Sequence, residues 1–131
     1  MSKKVAIISS NGDIFNAYKV FNIANAAAAT DMEVTVFFTF EGLNLIHKQG
    51  VKGIVMPKGN EQLEEGFKNA NVLSVEELAL MAQEMDVKFI ACQMTMDVMG
   101  INKEDLFDNI EVGGAVTFLE FAKDADITLS F

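Results

Sequence analysis

Cys92 is the one side chain in this sequence with the makings of a sulfur nucleophile, and it stands at a telling place. It closes the apolar run Val87-Lys88-Phe89-Ile90-Ala91 and opens the phrase Gln93-Met94-Thr95-Met96-Asp97-Val98-Met99-Gly100. The run predicts a strand, and the phrase predicts a methionine-rich turn leading into a helix. A thiol at the carboxyl end of a parallel strand lies where ligands gather in open α/β sheets. Backbone N–H groups of the following turn can pull its pKa below the ordinary value of about 8.5. The thiolate is the species that attacks a sulfane sulfur or a disulfide. A single cysteine suits a carrier, which takes up sulfur as a persulfide and hands it to a thiol on another protein. A Cys-x-x-Cys redox centre is excluded, since the chain holds one cysteine. The competing reading is a core cysteine that behaves as a small hydrophobe.

The neighbours of Cys92 are candidates for support. Met94, Met96 and Met99 can shape an apolar pocket around the sulfur. Ligation of a soft metal such as Cu(I) is the other chemistry open to them, and filling of core gaps is the plainer one. Gln93 and Asp97 flank the thiol. Asp97 is expected to cap a turn, because a carboxylate against the sulfur would raise the thiol pKa. Ser9, Ser10, Asn11 and Gly12 form the turn after the first strand and could cradle a small anion, a nucleotide-like ligand or an acyl-carrier thiol. Flavin is a weak fit there, since the turn holds one glycine and the chain has no tryptophan to stack on the ring. His47 is the only histidine and is expected on the surface, across the first strand from Cys92. One cysteine and one histidine cannot complete a closed zinc site. No metal and no cofactor is expected.

The chain has 131 residues, half of them hydrophobic, with a formal charge of −9 from ten basic and nineteen acidic residues. That length suits a single domain over residues 1–131. The acidic balance argues against nucleic acid and against anionic membrane as partners. No apolar run reaches the roughly 20 residues a membrane span needs. Met-Ser-Lys-Lys leads into an apolar run too short for a signal peptide. A cytoplasmic location is expected, and a lone cysteine agrees with a reducing compartment.

The elements that must position Cys92 follow from punctuation and periodicity. Strands are expected at 3–10, 33–40, 87–92 and 126–131. The first three are β-branched or aromatic runs of the kind buried on both faces of a parallel sheet. Helices are expected at 14–29 with Asp13 as cap, at 75–85 behind the capping box Ser74–Glu77, and from Gly113-Gly114 to about 123. Residues 43–48 and 103–107 read as short helical turns, the latter capped by Asn102. Residues 58–71 are polar with a weak helical pattern and stand as a short helix or a flap over the site. Strands alternating with helices predict an α/β fold, a flavodoxin-like doubly wound parallel sheet of four or five strands with helices on both faces. The first strand is expected to be central. With the second and third strands on either side of it, the turn Ser9–Asp13 would face the turn after Cys92.

Five phrases in order carry a resemblance: Val5–Ser10, Phe37-Phe38-Thr39-Phe40-Glu41-Gly42-Leu43, Cys92–Ile101, Gly113-Gly114 with Phe118-Leu119, and Ala125–Leu129. Together the chain resembles the DsrE/DsrF/DrsH-like sulfur-relay family. The resemblance implies a flavodoxin-like domain, a homo-oligomer, and Cys92 as the acceptor of sulfur from partner proteins with reactive thiols. The activity implied is that of a persulfide carrier or sulfurtransferase. The chain departs from the family pattern at Glu41, where many relatives carry an aromatic residue. It also departs in the polar stretch 58–71, where relatives carry a longer methionine-rich insert. Two other functions stand beside this one: a ligand-binding module with Cys92 only lining the pocket, and a thiol peroxidase acting through a Cys92 sulfenic acid.

Overall fold

The computed structural model describes residues 2–131 and builds them around one five-stranded parallel sheet. The strands are β1 (Lys4–Ser9), β2 (Glu33–Phe38), β3 (Lys88–Cys92), β4 (Glu111–Gly113) and β5 (Ile127–Ser130). Their order is β4-β3-β2-β1-β5, and every pair is parallel. The helices are α1 (Ile14–Ala29), α2 (Glu61–Asn69), α3 (Val75–Glu84), α4 (Gln93–Met99) and α5 (Ala115–Ala122). Short 3-10 segments cover Phe40–Ile46, Gly50–Gly53 and Lys103–Asp105.

The doubly wound parallel α/β sheet read from the sequence is what the structure has. The expected place of β1 is corrected. It is not flanked by β2 and β3: β2 lies between β1 and β3, and β5 lies on the other side of β1. Three successive crossovers step the sheet in one direction from β1 to β4, and a fourth returns the chain to the far edge, beside β1. The turn after β1 is therefore two strands away from the turn after β3 and does not face it. The turn anticipated after Cys92 is also absent, because α4 starts at once with Gln93.

Alternation along the strands sorts the core onto two faces. Val5, Ile7, Val34, Val36, Phe38, Phe89 and Ala91 pack with Phe21 and Ala24 of α1 and with Leu78 and Ala82 of α3. Ala6, Phe37, Ile90 and Cys92 point the other way and pack with Phe118 of α5. The first face is the thicker. The second is closed by one short helix whose only buried residue is Phe118, stacked on Phe37 with ring centroids 5.3 Å apart. The expected caps are in place. The Asp13 carboxylate accepts from the Asn16 N–H at 3.2 Å, and Ser74 and Glu77 form a reciprocal box at 3.0 and 3.1 Å.

The stretch at 58–71 is α2 with its flanks. It lies against α1, where Phe67 meets the edge of Tyr18 at 5.0 Å and Tyr18 Oη donates to the Leu73 carbonyl at 2.8 Å. That is the face opposite Cys92, so the segment is a prop on α1 and the flap reading is corrected.

Gly42 fastens the start of the 3-10 segment to β1. A Cβ there would lie 2.0 Å from the Ser9 carbonyl oxygen and 2.7 Å from its carbon. A Cβ on Gly53 would meet nothing within 4 Å. Gly42→Ala is expected to cost about 1–3 kcal/mol, as forced overpacking does, while Gly53→Ala stays close to wild type. Paired thermal melts check this, and equal melting points for the two variants would refute the close approach.

Candidate functional site

The site starts from sheet register. Phe38 of β2 pairs with Ala91 of β3, so Thr39, one residue further on, comes beside Cys92 on the α5 face. On the other side Cys92 pairs with Gly113 of β4. The missing side chain at Gly113 lets Thr117 of α5 pack over the strand, for a Cβ on Gly113 would lie 2.7 Å from Thr117 Oγ1. Cys92 itself is the N-cap residue of α4 and is 6% exposed. Thr95, one turn into α4, is buried at 1% exposure.

Thr95 Oγ1 is the hub. It accepts a hydrogen bond from the Phe40 N–H at 3.0 Å and shares one with Thr39 Oγ1 at 3.3 Å. Phe40 has φ +48, a left-handed conformation that costs a bulky residue energy, and its ring is exposed. The bond to Thr95 helps hold that strained residue in place. The backbone thus turns sharply after Thr39, which leaves the Thr39 hydroxyl beside the sulfur and the Phe40 ring in solvent.

Opposed forces act on the Cys92 thiol. Burial is the largest and pushes its pKa up, because the thiolate loses water. The Thr95 hydroxyl, the Thr95 N–H, the Thr39 hydroxyl and the Met94 N–H pull it down by favouring the anion. The donors win together, and the thiol pKa lies below its ordinary value. The two N–H groups belong to the first turn of α4, where they have no partner within the helix.

The other residues singled out in the sequence are dispersed. The methionines do not gather around the sulfur: Met96 is buried in the core of the α1 face, while Met94 and Met99 are exposed. Met94 serves through its backbone. Asp97 accepts from Gln93 Nε2 at 2.9 Å across one turn of α4, so this pair is tied to itself. Ser9 is fully buried, and its hydroxyl has no hydrogen-bond partner. The Ser10 hydroxyl donates to the Phe131 carbonyl at 3.1 Å. Neither presents its hydroxyl to an outside anion as a phosphate-cradling turn would. Gly12 borders a cleft of about 230 Å³ with Glu41, Asn44, His47, Met99 and Ile101. His47 Nδ1 accepts from the Gly50 and Gln49 N–H groups at 2.9 and 3.2 Å, which organises that turn. Among the described residues, no group of three or more His, Cys, Asp or Glu is arranged to hold a metal ion, and no helix is long and apolar enough to cross a membrane.

Thr39 and Thr95 were not singled out from the sequence. The available signal was the position of Thr95 three residues after the cysteine, one helical turn along, where its hydroxyl returns toward the start of the helix.

The profile of the DsrE/DsrF/DrsH-like family matches residues 1–59 and 51–130. A sulfur carrier protein, DsrE2, from Allochromatium vinosum is 38% identical over 154 aligned positions, covering 97% of each chain. The uncharacterized protein YrkE from Bacillus subtilis is 33% identical over 154 positions, covering 98% of this chain and 96% of its own. Among solved structures, the ychN protein from E. coli superposes over the full length of both chains with a TM-score of 0.67 at 18% identity, a likeness of fold.

A lowered thiol pKa has two readable consequences. Alkylation of native protein by iodoacetamide is expected to rise with pH through a midpoint below about 8.5, the value of a free thiol. Between the lowered folded pKa and that unfolded value, the unfolded chain carries more protons than the folded one. The thiolate's contribution to stability is therefore full above the unfolded pKa and is lost as pH falls through the folded one. Melts of wild type against Cys92→Ala across this window read the second effect. A midpoint at or above the free-thiol value would mean that burial prevails.

Proposed function

The chain belongs to the DsrE/DsrF/DrsH-like family, and from that premise we propose that it is a sulfur-relay protein in which Cys92 is the carrier. The observation that carries the reading is the ring of uncharged donors that favours the Cys92 anion in spite of burial. The likeness to the Allochromatium vinosum sulfur carrier supports the same class of activity.

The chemistry needs no oxidant. The Cys92 thiolate attacks the outer sulfur of a donor persulfide, R–S–SH. The donor's S–S bond breaks, a new S–S bond forms to Cys92, and the electron pair leaves with R–S⁻. In the second step a thiolate on the acceptor protein attacks the outer sulfur of Cys92–S–SH. The persulfide passes to the acceptor, and the Cys92 thiolate returns. A thiolate of lowered pKa is both available near neutral pH and a good leaving group in the second step. The sequence supplies no resolving cysteine, so the acceptor thiol belongs to a partner. Burial protects the loaded sulfur from stray thiols, and a reducing cytoplasm suits such a carrier.

A homo-oligomer is part of this proposal. α5 leaves Val116 and Leu119 exposed, beside an apolar groove of about 380 Å³ that it forms with β5. An exposed apolar face of this kind supports the reading of an association surface. Light scattering is expected to return a multiple of the 14.4 kDa chain, and Leu119→Glu to lower that mass. A monomer mass for wild type would reject the association.

The test of the relay is direct. After incubation with a persulfide donor, intact-mass spectrometry is expected to show a gain of about 32 Da, one sulfur atom, on wild type and none on Cys92→Ser. A second thiol-bearing protein should then remove it. No gain with several donors would overturn the proposal.

A further inference from the structure

We propose that Thr95, backed by Thr39, is a positioning residue that orients the anionic sulfur of Cys92 by turning its hydroxyl proton from Thr39 to that sulfur. The inference rests on the reading of Cys92 as a sulfur carrier and adds to it the group that holds the reacting atom.

The geometry limits what Thr95 can do with its proton. The Phe40 N–H already donates to Thr95 Oγ1, at 3.0 Å. The 3.3 Å contact between the Thr95 and Thr39 oxygens takes one proton, from either partner. Two hydroxyls carry two protons, so at least one is left to point elsewhere. Thr95 is 1% exposed, which leaves little room for water to accept it. Both hydroxyls and the first-turn N–H groups of α4 favour the Cys92 anion. With neutral Cys92, Thr95 donates to Thr39, and the Thr39 proton is the one left over. When Cys92 is a thiolate or a persulfide anion, Thr39 can donate to Thr95 while Thr95 donates to sulfur. Each bond in that chain polarises the next. No proton is transferred in this change; both hydroxyls rotate.

No charged group on the elements around Cys92 is among those that shift the sulfur. On α4, Asp97 accepts from Gln93. On β4, Glu111 lies 3.7 Å from Lys88 of β3. On α5, Glu120 lies 3.2 Å from Lys123. On β2, Glu33 begins the strand, at the end away from the site. Glu41, after Phe40, borders the cleft with Gly12. The groups that act on the sulfur are uncharged, so the pH profile of Cys92 reads the hydroxyls and N–H groups rather than a titrating neighbour.

The experiment compares the pH profile of Cys92 alkylation in wild type, Thr95→Val, Thr95→Ser and Thr39→Val, with folding checked by circular dichroism. Thr95→Val keeps the shape and removes the proton. It is expected to move the midpoint upward and slow alkylation at neutral pH by about tenfold, the scale of one hydrogen bond to a charged group. Thr95→Ser restores the wild-type midpoint. Thr39→Val moves it in the same direction by less, and it keeps the proposal testable if Thr95→Val fails to fold, because Phe40 retains its partner. Folded variants with unchanged midpoints would overturn the proposal, since a merely structural role for Thr95 would alter melting temperature and leave the profile in place. Sulfur loading is measured on the same samples. A shifted profile in a protein that takes up no sulfur upholds the role of Thr95 while removing the relay reading. Loading with an unshifted profile does the reverse.

Discussion

The bond from the Phe40 N–H to the buried Thr95 hydroxyl joins the end of β2 to the first turn of α4. Much of the site depends on it. It fixes the turn at which the chain leaves β2, and so keeps Thr39 beside the sulfur. It holds a phenylalanine in a left-handed conformation that the residue would otherwise avoid. It also takes up one lone pair of Thr95, which shapes what the hydroxyl can do for Cys92. Gly42 completes the arrangement from the other side, because the Ser9 carbonyl occupies the space a side chain would need. The carboxyl ends of β1 and β2 and the first turn of α4 are thereby connected by a hydroxyl at 95 and a missing side chain at 42.

The sulfur is poised by a balance. Full exposure would leave the thiolate well hydrated and the loaded persulfide open to attack by any thiol. Burial without donors would keep the thiol protonated and inert. The fold solves both with a shallow, one-helix cover and four uncharged donors. It uses no neighbouring lysine, arginine or histidine to do so. Asp97 is bonded to Gln93 and Glu111 is paired with Lys88, and no carboxylate is among the groups that raise the thiol pKa.

Much of this was legible in the sequence. β-branched runs, a lone cysteine at a strand end and capping residues at Asp13 and Ser74 are local signals, and local signals gave the principal strands and helices to within one or two residues. Strand order was not legible. Parallel strands buried on both faces look alike, and nothing in β1, β2 or β3 says which pair are neighbours. β4 is three residues, Glu111–Gly113, too short for any periodicity. The methionines misled for a related reason. Met94, Met96 and Met99 are close in sequence, but a spacing of two residues sends Met94 and Met96 to opposite sides of α4, and Met99 is the last residue of the helix, where it is exposed. Thr39 and Thr95 went unread because their meeting is 56 residues apart in the chain and exists only through the β2–β3 register.

The connection between β2 and β3 shows what the site can spare. The family profile matches in two pieces that meet at residues 51–59. The alignments to the Allochromatium and Bacillus proteins run over 154 positions against 131 residues here, so those relatives carry residues without a counterpart in this chain. Residues 51–59 run from the second 3-10 segment to the start of α2, in the connection from β2 to β3. The thiol, its two threonines and the first turn of α4 come instead from β2, β3 and their immediate continuations. An insertion at that break lengthens a crossover without disturbing the register that brings Thr39 to Cys92, because loop length adds little strain once both strands are paired. The thiol and the α2 prop are thus carried on opposite faces of one sheet.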